Sequence, residues 1–136
     1  MYTSLKSMDW SKLKFNNYYW LAVGEYDVYI KGESSEPANK YLGMAKYVIA
    51  EIEEVSQKAI EFLETFLKLE GEWEIHTLDF GCCHSKVNHD FELTFSFEDR
   101  IDKHKYVYTY YVVSFDIQKF GDRSLFKPQR LEVGFC

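Results

Sequence analysis

The feature that most constrains this chain is a proline-free run from Ala38 to Leu69. Within it, apolar side chains recur at Tyr41, Ala45, Val48, Ile52, Val55, Ala59, Phe62, Phe66 and Leu69. The spacings alternate between four and three, which puts these residues on one stripe of an α-helix. Leu42, Ile49, Ile60, Leu63 and Leu67 widen the stripe. It is broader and more aromatic than the seam of a coiled coil, so it predicts a rod packed across a sheet. Pro37 suits the first turn, Gly71 ends the helix, and Gly43 or Ser56 are the places where it would break. Glu54 with Lys58 and Glu64 with Lys68 form i,i+4 pairs on the outer face.

The flanking sequence supplies a layer for the rod. Trp10 to Phe15 is a short mixed strand, and Tyr18 to Val23 and Tyr26 to Lys31 flank a turn at Gly24-Glu25. Residues 32–39 form a loop rich in Ser, Glu and Pro. After the rod, Trp73 to Phe80 reads as a strand. In the next one, Phe91, Leu93, Phe95 and Phe97 alternate with Glu92, Thr94 and Ser96, the pattern of a sheet covered on one side and wet on the other. Glu98 to Lys105 is a charged hairpin loop and Tyr106 to Asp116 the longest strand. Val107, Thr109, Tyr111, Val113 and Phe115 make its core face, and Tyr106, Tyr108, Tyr110 and Val112 its other face. Leu131, Val133 and Phe135 mark a final strand. The order β-β-α-β-β-β predicts a single α+β domain over residues 1–136, an antiparallel sheet of five to six strands with one long amphipathic helix on one face. A chain of 136 residues can bury such a core without metal or disulfide staples.

Composition bears on function at three points. Aromatic residues make up 18% of the chain against two Pro and seven Gly, the opposite of a disordered composition. The net charge is −6, and Glu51 to Glu74 holds eight acids against Lys58 and Lys68, so the imbalance resides on the rod and just beyond it. An acidic face repels phosphate backbones and attracts basic proteins, which predicts no nucleic-acid partner. The same charge also reads as a solvated face that keeps the protein soluble. Cys82, Cys83 and Cys136 are odd in number and two are adjacent, a poor disulfide framework, so free thiols in a reducing compartment are expected. The first ten residues lack a secretory leader pattern, and no run approaches the length of a membrane span. The expected location is the cytoplasm, away from membranes.

Cys82-Cys83-His84, with His89 beyond, is the cluster closest to chemistry. Its histidines have tolerable zinc spacing, but adjacent cysteines point apart in an extended chain and the set is crowded. His76, His84, His89 and His104 could each serve a cysteine nucleophile, yet no local signature supports a pair, and phosphate-binding glycine loops are absent. The expectation is a non-enzyme with no metal and no cofactor. Lys119, Arg123, Lys127 and Arg130 read as a basic region before the last strand, either an anion site or, the favoured reading, a solvated loop that pairs with acids on the helix. Tyr106, Tyr108 and Tyr110 would form a rigid binding patch if exposed, or pack beneath the helix if not.

The layout resembles the small bacterial α+β domains found among the immunity proteins of polymorphic toxin systems. The resemblance is carried by the helix from Tyr41 to Leu69, the strand from Trp73 to Phe80, the strand from Tyr106 to Asp116, and the ending from Phe126-Lys127-Pro128 through Leu131-Glu132-Val133-Gly134-Phe135. It implies an intracellular inhibitor that neutralises a cognate protein toxin by tight contact. A basic toxin would then meet Glu53, Glu54, Glu61 and Glu64 on the rod, with Tyr106, Tyr108 and Tyr110 as a second patch, and the chain would be a monomer or homodimer. The alternatives are a scaffold domain that self-associates through the tyrosine strand or a sheet edge, and, ranked below it, a thiol or metal enzyme that uses the Cys82-Cys83-His84 cluster.

Overall fold

The computed structural model describes residues 2–81, 83–84 and 88–136. A short helix α1 (Thr3–Lys6) and a 3-10 turn (Trp10–Lys12) lead into β1 (Lys14–Asn16), β2 (Tyr19–Ala22) and β3 (Asp27–Lys31). Two helices follow, α2 (Asn39–Ala50) and α3 (Ile52–Phe66). The chain then runs through β4 (Gly71–Phe80), β5 (Phe91–Asp99), β6 (Thr109–Phe120) and β7 (Arg123–Phe135). The fold is α+β. The strands form one seven-stranded sheet in chain order, more strands than expected. It is mixed rather than antiparallel, because β3 and β4 pair parallel while every other neighbouring pair is antiparallel. The rod itself explains this. One helical pass between two neighbouring strands carries the chain back to the end where β3 began, so β4 must run alongside β3 in the same direction.

The single rod is in fact two helices of 12 and 15 residues, broken at Glu51, where φ is −109° and ψ 27°. Neither Gly43 nor Ser56 marks the break. A straight helix over that span would run about 40 Å, whereas seven strands span roughly 29 Å. The bend lets α2 lie over β3 and β4 while α3 reaches across to β7. The second helix stops at Phe66, and Gly71 opens β4 instead of ending the helix. Of the expected helical ion pairs neither forms among the described residues; Lys68 Nζ instead donates to the Glu64 carbonyl.

The core lies between the helices and one sheet face. Ala45, Val48 and Ile49 of α2 and Ile52, Val55, Ala59 and Leu63 of α3 meet Val28, Ile30, Leu78, Phe80, Leu93, Phe95, Val113 and Phe115. Phe80, Phe91 and Phe115 are cross-strand neighbours, and their rings stack with centroids 5.6 and 4.9 Å apart. Such rings contribute most to the core because each removes a large apolar area from water. A bulge at His76 in β4 keeps Trp73, Ile75, Leu78 and Phe80 all on the core side despite the odd spacing between Ile75 and Leu78.

The tyrosine strand differs from expectation. Tyr106 and Tyr108 precede β6 and belong to a loop of successive tight turns, with Lys105, Val107 and Thr109 N–H groups donating to the carbonyls of Asp102, His104 and Tyr106. The Asp99 carboxylate nucleates this loop by accepting the N–H groups of Ile101 and Asp102. Local capping thus overrides the period-2 pattern, and the three tyrosines do not share a strand face. The basic residues Lys119, Arg123, Lys127 and Arg130 sit on the β6–β7 hairpin strands, and Arg130 is 3.8 Å from Glu132 rather than from a helix acid.

A candidate docking trough on the open sheet face

The face opposite the helices carries two cross-strand rows. One runs Tyr29, Asp79, Glu92, Ser114 and Arg130 across β3 to β7, and the next runs Asp27, Thr77, Thr94, Val112 and Glu132. Between them lies a trough of about 300 Å³ lined by Tyr29, Thr77, Asp79, His84, Glu92, Thr94, Tyr110, Val112 and Glu132. Strand pairing holds nearly every wall of this trough; His84 alone comes from a turn. Such anchoring fixes side-chain positions more tightly than loops do.

Two carboxylates sit side by side in mid-sheet, and both are nearly inaccessible: Asp79 is 6% exposed and Glu92 5%. Like charges directly opposed across strands destabilise a sheet, and buried carboxylates need partners. Asp79 accepts from the Cys83 and His84 N–H groups at 2.8 and 3.1 Å and from His84 Nδ1 at 3.2 Å. Glu92 accepts from the Ser114 hydroxyl at 3.0 Å. Gly81, with φ at +96°, turns the chain so that Cys83 and His84 come back over Asp79. The His84 ring lies against Tyr19 and Tyr29, with centroids 4.7 and 4.5 Å away. Burial, with help from Asp27, Tyr19 and Asp79, pushes the Tyr29 hydroxyl above the usual phenol range, so it remains a neutral donor. Opposite, Tyr110 lies over Gly134, its cross-strand partner, where any larger residue would collide with the ring.

The expected site residues fall on two separate surfaces. Glu53, Glu54, Glu61 and Glu64 all point outward from α3. Glu53 is paired with Lys6 at 2.6 Å, and hydrogen bonding to that ammonium holds its carboxyl below the ordinary range. Glu61 accepts from Gln57. Tyr110 lines the trough on the far side of the sheet. Tyr106 packs on Phe97, and Tyr108 is exposed in its loop. One partner surface therefore cannot engage the α3 acids and Tyr110 together. In the cysteine–histidine cluster, Cys82 lies outside the described residues. His84 faces Asp79 while His89 faces Asp116, so the two histidines turn to different carboxylates. Among the described residues no three His, Cys, Asp or Glu side chains are grouped to hold a metal ion.

Sequence reading missed Asp79, Glu92, Tyr29 and Glu132. A signal was present: Asp79 stands between Leu78 and Phe80, and Glu92 between Phe91 and Leu93, two acids inside the most apolar strands. Alternation assigned Glu92 to a wet face and left Asp79 unassigned, whereas the fold buries both. No helix is long and apolar enough to cross a membrane. Comparison with family models, curated proteins and solved structures finds no significant match.

Proposed function

We propose that this chain is a small acidic binding protein of the immunity type, which neutralises a basic protein toxin in the cytoplasm by docking it on the open sheet face. The observation that carries this reading is the pair of buried carboxylates, Asp79 and Glu92, in a tyrosine-walled trough. A packed sheet gains nothing from acids at these positions, and residues that violate the rules of folding concentrate where a protein works. A lysine or arginine entering the trough would meet carboxylate below and aromatic rings at the side, two features that recognise a cation. Tyrosine is also a frequent anchor of binding energy, because it brings large area at small entropic cost. The α3 acids then act at a distance. Their field steers a basic partner toward the molecule and raises the association rate.

Protection of growth tests the proposal. The chain is co-expressed with the protein encoded beside its gene, which is expected to be toxic alone. Rescue by the natural sequence is expected to be lost in Tyr29→Ala/Tyr110→Ala and retained in Glu54→Lys/Glu61→Lys. The helix variant should bind about tenfold more slowly with an unchanged dissociation rate. A harmless neighbour, or rescue that survives the tyrosine changes and fails with the helix changes, contradicts the proposal.

A further inference from the structure

The sheet has two margins of unequal character. β1 is three residues long, whereas β7 runs for 13. The inner edge of β7 pairs with β6 along its whole length, and its outer edge pairs with no strand among the described residues. Natural sheets blunt such an edge with charge, proline or a bulge. In β7 the proline and the bulge are confined to the first half, at Pro128 and at the register shift where Ser114 and Phe115 meet Arg130 and Pro128. From Arg130 to Phe135 the ladder is regular. The same stretch leaves apolar side chains uncovered. Leu131 and Val133 pair with Val113 and Tyr111 on the helix side of the sheet, yet Val133 is 42% exposed and Phe135 77%.

We infer that a second copy of this chain occupies the edge, paired antiparallel through β7 about a two-fold axis at Val133. The choice of occupant follows from how the segment matches itself. With the axis on Val133, that residue faces its own copy, Leu131 faces Phe135, and Glu132 faces Gly134, over which the Tyr110 ring lies, so apolar meets apolar and the acid meets no second charge. An axis on Glu132 would oppose two glutamates. An axis on Leu131 would draw Pro128 and the bulge into the ladder. The Val133 register covers the exposed side chains, satisfies the free backbone groups and closes on itself as a symmetric dimer. It rests on the sheet margin, and of the residues lining the trough only Glu132 lies in this ladder. It also sets Cys136 opposite Arg130 rather than opposite Cys136, so no disulfide between copies is involved.

Sedimentation of the full chain under reducing conditions tests this. The expected result is a reversible dimer, twice the 16.2 kDa chain mass, that accumulates with concentration. Val133→Lys sets two ammonium groups against each other and should weaken the dimer roughly tenfold or more. An equimolar mixture of Val133→Lys and Val133→Glu should restore it, because only a residue on the axis meets its own copy. Phe120→Lys, at the far end of the hairpin, should leave it unchanged. A monomer at every concentration, a dimer dissolved by reductant, a dimer indifferent to Val133→Lys, or a mixture that fails to restore pairing would each overturn the proposal.

Discussion

At the scale of single residues, the molecule accepts local cost where its sheet is most buried. Asp79 and Glu92 stand side by side, and the hydrogen bonds around Asp79 come from a turn that Gly81 bends back toward it. Tyrosines show the same tension between burial and ionisation. Burial raises the Tyr111 hydroxyl above its ordinary 10.0, with a smaller contribution from Tyr106, and Tyr111 is only 3% exposed. A raised pKa in the folded state means that folding favours the neutral phenol. That stability is whole below pH 10 and is lost as pH rises through the folded value. Phenylalanine cannot ionise, so Tyr111→Phe should gain stability relative to the natural chain above pH 10 and show no such gain at pH 7. Urea unfolding at the two pH values checks this, and a difference that does not change with pH would contradict it.

At the scale of elements, the amino-terminal segment acts as a strut for the helices. The Tyr2 hydroxyl is 2.8 Å from the Ser56 hydroxyl, which lies on the buried side of α3 with Ser56 only 4% exposed, and Lys6 pairs with Glu53 one turn earlier. Tyr2→Phe leaves the serine hydroxyl without this partner and should cost about 0.5–1.5 kcal/mol. The double variant Tyr2→Phe/Ser56→Ala should recover most of that loss in thermal unfolding, since no polar group is then stranded. Additive losses would show that the pair is not coupled. Some elements were legible in the sequence. The strands β4 and β5, the core face of β6 from Tyr111 to Phe115, and the amphipathic stripe of α2 and α3 all follow from periodicity. The bend at Glu51 was not legible, because no proline or glycine stands there and the cause is the sheet beneath. The loop holding Tyr106 and Tyr108 was not legible either, because Asp99 caps it locally against an alternating pattern.

For the whole molecule, the α+β layering follows from the order of patterned segments. The parallel step between β3 and β4 follows only when the helical pass is treated as a geometric constraint. The trough was hidden for a different reason. Its residues come from five strands and a turn, and pairing within a sheet brings together positions that are 103 residues apart, as Tyr29 and Glu132 are. Tyr110 was picked out as a binding residue; Glu92 and Thr94 were read as polar positions on a wet face, His84 as part of the cysteine–histidine cluster, and Tyr29, Thr77, Asp79 and Glu132 were not marked for binding. The central claim is that the open face, and not the acidic helix, meets the partner. Hydroxyl-radical footprinting of the complex identified by the growth assay tests it most directly, because it reads side-chain accessibility on both faces at once. Tyr19, Tyr29, His84 and Tyr110 should be protected, with Tyr47 on α2 and Phe66 on α3 as reactive as in the free chain. Protection of Phe66 and its neighbours on α3, with Tyr29 and Tyr110 unchanged, would contradict the claim.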